Sequence, residues 1–108
     1  MKYTTYTKGR YQIIKIEEVL TLSSAIDDLL DVVYDFLKKK QVYIAIGFTD
    51  NSYLISRSGA VLVQCWESIK GAGGELALIN VNEEIRDFLS VIDFKSQIKI
   101  YTSDDQLA

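Results

Sequence analysis

Polar and apolar residues alternate near the start of the chain. Residues 2–8 (KYTTYTK) are rich in Thr and Tyr, and Tyr11–Glu17 (YQIIKIE) puts Ile14 and Ile16 on one face and Lys15 on the other. Both runs suit strands. Lys8-Gly9-Arg10 between them predicts a hairpin turn, and the many polar positions predict that this hairpin flanks the sheet. The period then lengthens. Ile26, Leu29, Leu30, Val33 and Leu37 recur at helical spacing, with Ser23 or Ser24 as N-cap and Asp27 and Asp28 in the first turn. Lys38, Lys39 and Lys40 close this helix as complements of its dipole on a solvated face.

Val42–Phe48 (VYIAIGF) is almost wholly apolar, as a strand buried on both faces is. A polar loop, Thr49, Asp50, Asn51 and Ser52, leads to Leu54 and Ile55 and then to the polar turn Ser56-Arg57-Ser58-Gly59. Behind that turn, Val61, Leu62, Cys65, Trp66 and Ile69 form a helical stripe. Gly71 sits where a helix C-cap glycine belongs, and Gly73-Gly74 predicts a tight return. Leu76–Ile79 is a second fully apolar strand. Asn82 caps a third helix, with Glu83 and Glu84 in its first turn and Ile85, Phe88, Leu89 and Ile92 as its stripe. Ile98–Tyr101 is the last strand, and the tail from Ser103 is expected to fray. The order β-β-α-β-α-β-α-β predicts right-handed crossovers and an α/β fold: a mixed, largely parallel sheet with helices packed on it.

Size and charge narrow the function. With 108 residues, 48% of them apolar, and no linker or repeat, residues 1–108 read as one domain. A net charge of −3 gives the long-range field the wrong sign for nucleic acid or for direct binding to an anionic membrane. The single cysteine, the lack of an apolar leader in MKYTTYTKGR and the lack of an apolar run of roughly 18 residues set the expectation of a cytoplasmic protein.

Histidine is absent, which removes the usual general base and the commonest metal ligand. Cys65 on the apolar stripe then reads as a buried, unactivated thiol. Asp27/Asp28 and Asp104/Asp105 are neighbours in sequence with no opposing ligands, so no metal site and no cofactor is expected. Gly71-Ala72-Gly73-Gly74 follows a helix and precedes a strand, the reverse of a phosphate-binding loop. An enzyme is not expected. The turn at Ser56–Gly59 carries the chemistry that remains: two hydroxyls and a guanidinium at a helix N-terminus, where free N–H groups and the dipole favour anions.

The element order and four local segments together resemble the STAS domain, the sulfate-transporter and anti-sigma-factor-antagonist family. Those segments are VYIAIGF leading to a Ser-Gly turn before an apolar helix, Gly73–Leu76, Asn80–Leu89, and Phe94 with Ile98–Tyr101. The resemblance spans nearly the whole chain. It implies a STAS-like fold and a protein that binds a kinase-fold anti-sigma factor in the regulation of transcription. The alternative it implies is a STAS subunit of a membrane transporter complex, of the sulfate-carrier or lipid-transport ATPase type.

The family turn reads Asp-Ser-Ser-Gly, and its first serine is phosphorylated by the partner kinase. With Gly59 on the family glycine, Ser56 stands at the aspartate, Arg57 at the phospho-acceptor and Ser58 at the second serine. Arginine has no hydroxyl, and its charge opposes the roughly −1.5 to −2 of a phosphate. Ser58 is left as the weaker acceptor. The resemblance therefore implies a partner-binding surface of Thr49, Asp50, Asn51, Ser52, Ser56, Arg57, Ser58 and Gly59. The implied partners are an anti-sigma factor or serine kinase-like protein, or a transporter ATPase. A homodimer is compatible with the same reading.

Overall fold

The computed structural model of the chain describes residues 2–17, 27–49, 56–91 and 98–107, with 27, 56–58, 88, 91 and 104 described as backbone only. Strands β1 (Tyr3–Lys8), β2 (Tyr11–Ile16), β3 (Tyr43–Gly47), β4 (Glu75–Ile79) and β5 (Lys99–Tyr101) form one sheet in the order β1-β2-β3-β4-β5. β1 is antiparallel to β2, and all other neighbours are parallel. Helices α1 (Asp27–Lys38), α2 (Ser56–Gly71) and α3 (Glu83–Val91) occupy the three crossovers. Among the described residues no helix is long and apolar enough to cross a membrane.

The helices share one face of the sheet. Ile14 and Ile16, Ile44 and Ile46, and Leu76 and Leu78 pack there against Leu29 and Val33, Leu62, Cys65 and Ile69, and Ile85 and Leu89. Each such side chain, fully removed from water, contributes about 1.5–3 kcal/mol. Consecutive strands joined by right-handed crossovers bring every helix to the same side, so this face is closed. The opposite face carries a smaller cluster of Tyr11, Ile13, Ala45, Ala77, Ile79 and Leu107.

Two expectations are corrected here. β2 does not flank the sheet: it lies between β1 and β3, with Tyr11, Ile13, Ile14 and Ile16 at 2% exposure or less. Its polar look comes from Gln12, Lys15 and Glu17, while the Tyr11 ring is buried and its hydroxyl donates to Glu75 Oε2 at 3.2 Å. Only β1, exposed along most of its length, behaves as an edge. The tail does not fray either. Asp104–Gln106 make a turn of 3-10 helix, and Leu107 folds back at 7% exposure onto the open face, where apolar burial holds it.

The helix stops follow one geometry. At the end of α2, Gly74 N–H donates to Ile69 O (2.9 Å) and Gly73 N–H to Lys70 O (3.0 Å), with Gly73 at φ 83°. At the end of α1, Gln41 N–H donates to Phe36 O and Lys40 N–H to Leu37 O, both at 3.0 Å, with Lys40 at φ 62°. Both are Schellman stops. The cap glycine is therefore Gly73 rather than the expected Gly71, which is the last helical residue. Lys40 does more than complement a dipole, because it holds the left-handed position itself. The expected caps Ser23 and Ser24, along with Ile26, Ile92 and Phe94, lie outside the described residues.

Candidate functional site

The carboxyl ends of β3 and β4 set the geometry of the site. One residue past each strand the ladder continues: Phe48 N–H donates to Ile79 O at 3.0 Å, and Asn80 N–H donates to Tyr101 O at 2.9 Å. Asn80 has φ 61°, a conformation that asparagine tolerates better than most residues. From there its Nδ2 donates to Phe48 O at 2.9 Å. The buried Phe48 ring and this hydrogen bond fix the direction in which the chain leaves β3. Thr49, half-buried, is the next residue.

From Thr49 the chain passes to α2. Asp50, Asn51 and Ser52 lie outside the described residues. Ser56, Arg57, Ser58 and Gly59 form the first turn of α2, not a turn ahead of it. Ser58, already helical, is thus not the N-cap, which needs non-helical dihedrals. Gly59, the last residue of this turn, is buried against the rest of the chain. Packing of that kind outweighs the ~1 kcal/mol that glycine costs a helix. The backbone N–H groups of this turn have no carbonyl one turn earlier in the helix, and they carry the positive end of its dipole.

At the other end of the strands, a second polar cluster sits on the open face. Glu75 Oε2 accepts from Tyr11 and lies 3.4 Å from Lys99 Nζ and 3.6 Å from an Arg10 guanidinium nitrogen. The Arg10 guanidinium stacks over Tyr43 at 4.6 Å and over Tyr11 at 5.8 Å. Tyr11 and Tyr43 meet edge to face with centroids 6.0 Å apart. Burial, reinforced by the Glu75 carboxylate, pushes the Tyr11 hydroxyl up to about 12. Desolvation works against ionisation of Glu75, but Tyr11, Lys99 and Arg10 together outweigh it and hold its carboxyl below the usual range.

Elsewhere the polar groups are structural. Asn82 Oδ1 accepts from Ile85 N–H at 2.9 Å, the expected N-cap of α3. Cys65 is fully buried, and burial pushes its thiol up to about 12, out of the nucleophilic range. Asp105 pairs with Lys8 at 3.5 Å across the surface, a contact that contributes little. Among the described residues no three His, Cys, Asp or Glu side chains converge as a metal site would require.

The structure thus places Thr49 and the first turn of α2 at the carboxyl end of the sheet. It adds Asn80, which reading the sequence did not single out as a site residue. An asparagine directly after an apolar strand was the available signal, since that is where a left-handed residue turns the chain.

No protein-family model matches the chain, and no curated protein matches it in sequence. Solved structures do. The crystal structure of TM1081, a candidate anti-sigma factor antagonist from Thermotoga maritima, superposes with a TM-score of 0.79 at 26% identity, over 94% of this chain and 86% of that one. An NMR structure of TM1081 superposes with a TM-score of 0.75 at 26% identity, over 94% of this chain and 81% of that one. A five-stranded mixed sheet, three helices on one face and a superposition across almost the full length agree with the resemblance seen in the residues: the chain is a STAS-like α/β domain with the fold of an anti-sigma factor antagonist.

Proposed function

We propose that the protein is a cytoplasmic regulator of transcription that acts by binding a kinase-fold anti-sigma factor. The observation that carries this reading is the full-length structural likeness to an anti-sigma factor antagonist candidate. The docking surface is Thr49, Asp50, Asn51 and Ser52 together with Ser56, Arg57, Ser58 and Gly59. Its position at the carboxyl end of β3 and the start of α2 supports that assignment.

Phosphorylation of the family kind has no acceptor at Arg57. Its guanidinium cannot imitate a phosphate, so it does not reproduce the non-binding state of the family switch; against an acidic partner surface it favours the bound state permanently. Ser58 keeps a hydroxyl in the first turn of α2, where an added phosphate is stabilised by backbone N–H groups.

Affinity capture from the native cytoplasm tests this. The wild type should recover a kinase-fold protein, identified by mass spectrometry, and Arg57→Glu should reduce the yield. Undiminished capture by Arg57→Glu would remove Arg57 from the surface. Incubation with ATP and that partner should leave the chain unmodified or modify Ser58 alone. Stoichiometric phosphate on Ser56 contradicts the alignment.

The missing acceptor also favours a second reading, a constitutive STAS subunit of a membrane transporter complex. Recovery of a transporter ATPase in place of the kinase-fold protein selects it.

A further inference from the structure

On the open face, the carboxyl ends of β2, β3 and β4 leave a half-open cavity of about 230 Å3. Its floor is apolar, built from Ile13, Gly47 and Ile79, and its rim carries Tyr6, Lys15 and Ser103. Phe48 and Asn80 also line it, so it borders the start of the segment between β3 and α2.

The cavity exists because β3 has a glycine at one register position. Gly47 lies between Lys15 of β2 and Ile79 of β4, its cross-strand partners. Neither steric crowding nor backbone conformation calls for glycine there. Its φ is not in the left-handed region, and an added Cβ would meet Ile79 Cβ and Lys15 Cα at 3.9 Å, ordinary contact distances. Gly47 is the last residue of β3; glycine makes a strand less stable than alanine does, and it marks a bulge, a bend or a close approach of a ligand or another backbone. Compare Gly74, where a Cβ would fall 1.9 Å from Val42 O and glycine is compulsory. Gly47 leaves space; Gly74 has none.

The rim indicates what fills that space. Lys15 is exposed and, among the described residues, has no ion-pair partner and is the only charged side chain lining the cavity. Tyr6 and Ser103 line it beside Lys15. One cation above an apolar floor suits one negative charge on an apolar body. A phosphate dianion would leave its second charge unmatched in a chain of net charge −3. The volume lies just below the ~300–1,000 Å3 of drug-sized pockets, which limits the ligand to about ten non-hydrogen atoms.

We propose that this cavity binds a small organic carboxylate, its apolar body over Gly47 and its carboxylate at Lys15. The site needs no partner protein, so its test stands or falls separately from the docking surface.

Phenylacetate is the probe and phenylacetamide its neutral match, each titrated into the isotope-labelled chain and followed by amide chemical shifts. Phenylacetate should shift the amides of Ile13, Lys15, Gly47, Ile79 and Asn80 saturably, with a dissociation constant on the order of a millimolar. Lys15→Met should weaken phenylacetate about tenfold and leave phenylacetamide unchanged. Gly47→Val should abolish binding of both. Gly47→Ala, whose methyl fits without a clash, should weaken both while keeping the wild-type spectrum elsewhere. Absence of saturable shifts at these amides overturns the proposal. So does an equal loss of both probes in Lys15→Met, or full binding by a folded Gly47→Val.

Discussion

At the amino ends of β3 and β4 the chain arrives from two Schellman stops, and at their carboxyl ends it leaves through single hydrogen bonds. The two ends are built to different rules. At the amino ends the charged and aromatic groups answer one another. Glu75 takes a hydroxyl and two cations, Arg10 lies across two tyrosine rings, and Gly74 is pressed against the Val42 carbonyl. At the carboxyl ends lie an open cavity with a lysine that has no ion-pair partner among the described residues, the first turn of α2 and Thr49. Stability thus falls to the strand ends that receive the chain from a helix, and the proposed binding to those that release it.

The largest effect falls at the closed end. Gly74→Ala drives a methyl into the Val42 backbone, which cannot swing aside as a side chain can. Urea denaturation should show a loss of about 3 kcal/mol, with partner affinity per folded molecule unchanged. A loss below ~1 kcal/mol would show that this end is looser than the contact implies.

Asn80 comes next, at the open end. Asn80→Ala removes the bond to Phe48 O and places alanine at φ 61°, together costing about 2 kcal/mol. Asn80→Gly keeps the backbone conformation and loses only the bond, so it should cost less. Unlike Gly74→Ala, both should also weaken partner capture, because the exit from β3 is no longer fixed. Unchanged capture would separate Asn80 from the docking segment.

Gly71→Ala sharpens the contrast in the stabilising direction. Gly71 ends α2, has no left-handed φ, and has nothing within 4 Å of an added Cβ. Thermal unfolding should show a gain of roughly 0.5–1 kcal/mol, because alanine loses less backbone entropy. A loss would mean that Gly71 takes part in the stop that Gly73 is assigned here.

The smallest effects are pH-dependent and belong to the amino-end cluster. The Glu75 carboxyl is lowered on folding, so its contribution is present above the unfolded value of 4.5 and is lost as pH falls through the lower folded value. Tyr11 has the opposite sign. Its hydroxyl rises from 10.0 to about 12 on folding, so its contribution is complete below 10.0 and is lost as pH rises towards about 12. Denaturation at a series of pH values should find the acid limb shallower in Glu75→Gln and the alkaline limb shallower in Tyr11→Phe. Limbs that match the wild type would dissolve the cluster as a unit.

Much of this architecture was readable from local pattern. The helical stripes, the two apolar strands, the Asn82 cap and the Gly-Gly return are each written in a few neighbouring residues, and each is present. The misreadings share a cause, which is contact between distant parts of the chain. The second strand reads as part of a flanking hairpin until β3, 27 or more positions on, pairs with it. Leu107 reads as a frayed end until the open face beside Ile13 is there to receive it. Gly71 and Gly73 are both good cap residues locally, and where α2 ends decides between them. Likewise Ser56–Gly59 reads as a turn, although its burial at Gly59 draws it into the helix. The place of Thr49 and residues 56–59 between β3 and α2 was legible in the element order, but the Asn80 contact was not, since it depends on Phe48, 32 residues earlier.

The claim that partner binding belongs to the carboxyl end is tested most directly by one pair of charge reversals on a single helix. Arg57 lies in the first turn of α2 and Lys70 in its last, so Arg57→Glu and Lys70→Glu make the same change of charge at opposite ends of the sheet. Binding of each variant to the captured partner should be measured by calorimetry. The prediction is a loss of about tenfold or more for Arg57→Glu, with Lys70→Glu within about twofold of wild type. Equal losses in the two variants, or a loss confined to Lys70→Glu, would contradict it.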